Sequence, residues 1–177
     1  MIEPRALTAI IYDSSAIVPE IARQIAHCWA AAGLAACGLV ERQVERPGRR
    51  RCDMLVTEIA SGAEIAISHD RGSLARGCAL DADGLLRAAE LTRAALADGC
   101  ERALFNKFGK IEAEGGGLRD AIADAIGRGV PTIVFVPRRN IAEWREFASD
   151  LAIEVEAATL APANVSRMRE EARCTAA

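Results

Sequence analysis

The chain has 177 residues, 51% of them hydrophobic, and a formal net charge of −3. That length suits one domain with a sizeable core, and the slight acid excess argues against nucleic acid, whose binding needs a basic field to displace counterions. Met1-Ile2-Glu3-Pro4-Arg5 lacks the charged-then-apolar layout of a signal peptide, and no apolar run approaches the length of a membrane span, so the expectation is a cytoplasmic protein without one.

Leu7 to Tyr12, ended by Asp13, is a continuous apolar run, the pattern of a strand buried on both faces. Asp13, Ser14 and Ser15 lead to Pro19, after which Ile21, Ile25, Cys28 and Ala32 recur at helical spacing until Gly33. Proline in a first turn and glycine past the last one predict strand, loop and helix. His27 shares the other side with Glu20, Arg23 and Gln24 and reads as solvated. Cys37 to Val40 predicts a short second strand. The basic loop Arg46-Pro47-Gly48-Arg49-Arg50-Arg51 could hold an oxyanion, but reads better as a solvated hairpin tip, because arginine is common on exposed loops. Cys52 to Thr57 and Ala63 to Ile67, around Ser61-Gly62, predict an antiparallel hairpin.

From Ser68 to Asp81 there is no periodicity, but the stretch gathers His69, Arg71, Arg76 and Cys78. Loops of this length inside a compact domain are often functional, and His69, Arg71 and Arg76 are candidate ligand-binding groups. Asp81 is placed to cap a helix carrying Leu85, Ala89 and Leu96 and ended by Gly99. The apolar run Ala103 to Phe105 then ends in a burst of polar groups, from Asn106 to Glu114, before three glycines. Ligands in open α/β sheets bind beyond the carboxyl ends of strands, so Asn106, Lys107, Gly109, Lys110, Glu112, Glu114 and Gly115 form the leading candidate site. The plainer alternative is a turn with solvated charges, yet turns alone do not require so dense a set of charges beside glycine.

Leu118, Ala121, Ile122, Ala125 and Ile126 make a clean helical stripe, stopped by Gly127 and Gly129. Thr132 to Val136 predicts another buried strand, closed by Pro137. Ile141, Trp144, Phe147 and Leu151 predict a helix, and Ile153 to Val155 a short strand. The tail from Pro162 is poor in apolar residues and is expected on the surface or partly disordered, which divides the chain into one domain over 1–160 and a tail over 161–177. Alternating strands and helices predict an α/β fold with a mainly parallel sheet flanked by helices. The first and the central strand-loop-helix units are expected side by side at one sheet edge, with Asp13, Ser14 and Ser15 facing Asn106 to Glu114 across a crevice.

Six cysteines stand at 28, 37, 52, 78, 100 and 174, none in a closely spaced pair. They are expected to be reduced and mostly core residues, and scattered thiols are a poor match to structural zinc. The phosphate-loop pattern GxxxxGK(S/T) fails between Asp13 and Glu20, where there is neither glycine nor lysine. A weaker anion could still sit at the helix N-terminus that follows. Asn106-Lys107 also starts an NKxD guanine motif, but Gly109 occupies the fourth position and supplies no carboxylate.

Ala103 to Glu112, with Arg76-Gly77-Cys78-Ala79-Leu80-Asp81 upstream and Gly129-Val130-Pro131-Thr132-Ile133 downstream, resembles an uncharacterised bacterial family related to small P-loop nucleoside-triphosphatases. The resemblance runs to about Leu151 and its NKFGKxEAEG core is fairly specific. It implies a P-loop-like fold with a degenerate phosphate loop, and, because that family often lies beside molybdate-transport or nitrogenase genes, a link to molybdenum. In the related triphosphatases a DEIGKxE motif supplies an aspartate for magnesium and a glutamate that prepares water. Aligned on the shared GK, this chain has Asn106 and Lys107 there, a weak ligand for a hard cation and a cation that cannot act as base.

The expectation is therefore a non-hydrolytic protein binding a small oxyanion or nucleotide, with molybdate or tungstate as candidate ligands and magnesium with a nucleotide behind them. Lys107, Lys110, the helix amides after Gly115 and Arg71 or Arg76 would form the oxyanion site. Against this, Lys107 could pair with Asp13 and Lys110 with Glu114, leaving no free positive charge. Two alternatives stand beside it: an active magnesium-dependent triphosphatase or transferase using Glu112 or Glu114, and a homo-oligomeric storage or scaffold protein with a vestigial site.

Overall fold

The computed structural model describes residues 7–44, 53–68 and 80–160. Its strands are β1 (Leu7–Tyr12), β2 (Ala36–Val44), β3 (Asp53–Glu58), β4 (Glu64–Ala66), β5 (Arg102–Asn106), β6 (Thr132–Pro137) and β7 (Ala152–Glu156). They make one seven-stranded sheet in the order β4-β3-β2-β5-β6-β1-β7. The run from β2 to β7 is parallel, and β3 and β4 extend it as antiparallel strands. The helices are α1 (Val18–Ala31), α2 (Ala82–Asp98), α3 (Lys110–Ala113), α4 (Arg119–Gly127) and α5 (Ile141–Ala148). This is the predicted α/β architecture, a mainly parallel sheet covered by helices.

The period of two along a strand decides which helix covers which face. On β1, Leu7, Ala9 and Ile11 join a core with residues of α2, α4 and α5, while Ile10 and Tyr12 point the other way and pack with Val18, Ile21, Ala22 and Ile25 of α1. Each such aliphatic side chain, fully withdrawn from water, contributes roughly 1.5–3 kcal/mol before the entropy of ordering it is subtracted. Because β1 leads to α1 on one face and its neighbour β6 leads to α5 on the other, the chain diverges at the carboxyl ends of adjacent strands. That divergence opens a crevice in a parallel sheet.

Local signals hold each element in place. Asp81 accepts from the amides of Asp83 and Gly84 at 3.1 Å and caps α2, and Gly99 ends it in the left-handed conformation at φ +97°. Gly38 lets β2 lie against β5, since a Cβ there would stand 2.0 Å from the Leu104 carbonyl oxygen.

Several expectations need correction. β1 and β5 are not side by side at a sheet edge; both lie inside the sheet with β6 between them. The second strand is nine residues long rather than four, because its pairing with β3 continues to Val44 after its pairing with β5 stops at Leu39. α5 ends at Ala148, Ser149 takes a positive φ of 50°, and Leu151 is left exposed instead of completing the stripe. Cys37 and Cys100, whose Cα atoms are 6.1 Å apart, lie side by side within disulfide reach; Cys28 is free. The basic loop at 46–51, the candidates His69, Arg71 and Arg76, and the tail over 161–177 lie outside the described residues.

Candidate functional site

The carboxyl ends of β1, β5 and β6, with the part of β2 just beyond its pairing with β5, place a set of polar groups together. Asn106 is the last residue of β5 and 5% exposed, and its side-chain oxygen has no hydrogen-bond partner. Lys107 follows it, one-third exposed, with its ammonium 3.6 Å from the carboxylate of Glu41. Glu41 lies on β2, two residues past the last pairing with β5, and is 9% exposed. From the end of β1, the buried Tyr12 phenol feels both the Glu41 carboxylate and the Arg139 guanidinium beyond β6. Burial, helped by Glu41 and opposed by Arg139, pushes that phenol up to about 12.

The β1–α1 connection is short and open. Asp13, Ser14, Ser15, Ala16 and Ile17 are all exposed, and the Ser14 hydroxyl accepts weakly from the Ala16 amide at 3.4 Å. Asp13 does not meet Lys107. Its carboxylate accepts from Arg138 at 2.8 and 3.2 Å, and that guanidinium also holds Glu156 on β7. The hydrogen bonds from Arg138 keep Asp13 below the usual carboxylate range.

The polar burst after β5 divides into three parts. Asn106 and Lys107 belong to the cluster just described. Lys110 and Glu114 form an exposed pair at 3.6 Å, one turn apart on α3 and the residue after it, as their spacing allowed. Glu112 is architectural: it is 4% exposed, and its two oxygens accept from the amides of Gly109 at 2.8 Å and Leu118 at 3.0 Å. Burial raises its carboxyl above the ordinary range, opposed by those two amides and by Lys107. The Leu118 amide at the start of α4 is thus already served from inside the protein, and both Glu112 oxygens are engaged by backbone amides. Gly115 sits at φ +96° in the exposed turn after α3 and Gly117 at φ +59°; a Cβ on Gly117 would stand 2.2 Å from a Glu112 oxygen. Among the described residues no group of three or more His, Cys, Asp or Glu side chains could hold a metal ion.

A family model described as "Protein of unknown function (DUF2478)" matches residues 7–162. The chain belongs to that family. The match runs from the first residue of β1 to just past Leu160, the last described residue. The chain is also 32% identical over 150 residues to "Molybdenum import ATP-binding protein ModC 2" of Bradyrhizobium diazoefficiens; the match covers 85% of this chain but 17% of that protein's length. No solved structure matches the chain. Among the described residues no helix is long and apolar enough to cross a membrane.

Sequence reasoning singled out Asn106 and Lys107 as candidates and did not consider Glu41, Tyr12 or Arg139. The signals for two of them were present. Tyr12 is the protein's single tyrosine and ends its first apolar run, while Glu41 follows directly on the apolar pair Leu39-Val40. What could not be read was the strand order that brings β2, β5, β6 and β1 beside one another.

Proposed function

We propose that the DUF2478 protein uses this carboxyl edge to bind a small oxyanion or the phosphate of a nucleotide without hydrolysing it, in the service of molybdenum or tungsten handling. The observation that carries the reading is Lys107, a partly buried cation at the strand end where the resembling triphosphatases hold their catalytic acid. An ammonium withdrawn from bulk water attracts an anion more strongly than a solvated one, and Arg139 adds a second positive charge near Tyr12. Three features speak against turnover. The β1–α1 connection has neither glycine nor lysine, Asn106 replaces a hard-metal ligand, and Glu112 is consumed by backbone amides. The link to molybdenum rests on the relative named as a molybdenum import protein and on the family resemblance.

A thermal-shift panel with molybdate, tungstate, sulfate, phosphate, and ATP or GTP with magnesium tests this directly, because a ligand that binds only the native state raises apparent stability with its concentration. A shift with an anion or nucleotide and no phosphate release is expected. Magnesium-dependent phosphate release would restore the hydrolase reading, and no shift with any of the six would leave the edge without a ligand.

A further inference from the structure

Glu41 is the part of this edge that anion binding does not explain. A site built only to attract oxyanions has no use for a carboxylate, and this one is 9% exposed. It lies 3.6 Å from the ammonium that would receive the anion. A ligand oxygen in a charge-assisted hydrogen bond with Lys107, at about 2.8 Å, therefore comes within about 6.4 Å of the Glu41 carboxylate whatever its direction of approach. Two negative charges at that separation, partly shielded from water, repel strongly. The strand end is also short of donors, because the Asn106 side-chain oxygen is buried with no partner.

We propose that Glu41 is the specificity-determining residue of this edge, making it select a tetrahedral oxyanion that carries a proton at neutral pH, as inorganic hydrogenphosphate does, over the proton-free dianions sulfate and molybdate. The assignment rests on the anion-binding reading above. A phosphate hydroxyl donates to the carboxylate while its other oxygens accept from Lys107, so that the acid becomes a partner. Sulfate and molybdate at neutral pH have only acceptors, and meet Glu41 with nothing to share. A buried acceptor rejects a ligand lacking the matching donor more effectively than any change of size does, because the penalty is an unpaired buried charge.

The test is calorimetric titration of the full chain at neutral pH with inorganic phosphate, sulfate and molybdate, repeated on Glu41→Gln. The wild-type protein should prefer phosphate over both dianions by about tenfold or more, the scale set by one like-charge contact near a protein surface. In Glu41→Gln the preference should collapse, with sulfate and molybdate binding tighter than in the wild type. Equal affinity of the wild type for phosphate and sulfate overturns the assignment, and so does a Glu41→Gln protein that keeps the wild-type ranking. If Glu41→Gln does not fold, the wild-type ranking alone decides. If no anion binds the wild type, the anion-site reading itself fails and this assignment with it.

Discussion

Lys107 reaches from the end of β5 to Glu41 on β2, 3.6 Å away, and each supplies the other's counter-charge at the carboxyl edge. Removing one member of such a pair leaves the other partly buried and uncompensated, which is worse than removing both. Lys107→Ala should lower stability by about 1–2 kcal/mol, less than for a fully buried pair because the ammonium is one-third exposed. Adding Glu41→Gln to it should recover part of that loss. Urea denaturation of the four proteins of the cycle measures the coupling, and strictly additive effects would contradict the pairing.

Glu112 tests the claim that a carboxylate in the polar burst is structural. Glu112→Gln keeps the shape but turns an amide NH2 toward a backbone N–H, and should cost about 1–3 kcal/mol. The pH dependence has a definite sign. Because burial raises the folded-state pKa above the ordinary 4.5, the proton on Glu112 stabilises the fold. That contribution is fully present below 4.5 and is lost as pH rises through the elevated folded value. The stability difference between wild type and Glu112→Gln should change across that window in this direction, and a flat difference would mean that Glu112 is not perturbed.

Gly38 and Gly117 are held open for different reasons. Gly38→Ala drives a methyl group into the Leu104 backbone while φ is +118°, so β2 and β5 must separate and a loss of about 2–4 kcal/mol is expected in thermal unfolding. Gly117→Ala meets the Glu112 carboxylate instead, and its cost should fall when Glu112 is shortened to Ala.

Arg138 binds Asp13 and Glu156 at the surface. Arg138→Ala should let the Asp13 carboxyl return to its ordinary value of 3.8, seen by NMR titration. In the wild type the lowered pKa contributes stability that is present above 3.8 and lost as pH falls through the folded value. An exposed pair contributes little to folding, so the melting temperature at neutral pH should barely move.

The fold was legible in the sequence because its signals are local. Strands such as Leu7–Tyr12 and Thr132–Pro137 are continuous apolar runs, and α2 carries its own start and stop in Asp81 and Gly99. The candidate site was half legible. Asn106 and Lys107 stand out where an apolar strand turns polar, but the role of Glu112 was hidden, since a carboxylate that solvates backbone amides looks in sequence like one that binds a metal.

By itself, then, the sequence determined the order and type of the elements, the parallel character of the sheet, the loss of the phosphate loop and the polar end of β5, all properties of neighbouring residues. The tertiary structure alone decided strand order and therefore which charges meet. Glu41 and Lys107 are 66 positions apart and Tyr12 lies on a third strand, so their encounter depends on the order β2-β5-β6-β1 in the sheet. Electrostatic pairing follows distance in space, and no local pattern encodes it.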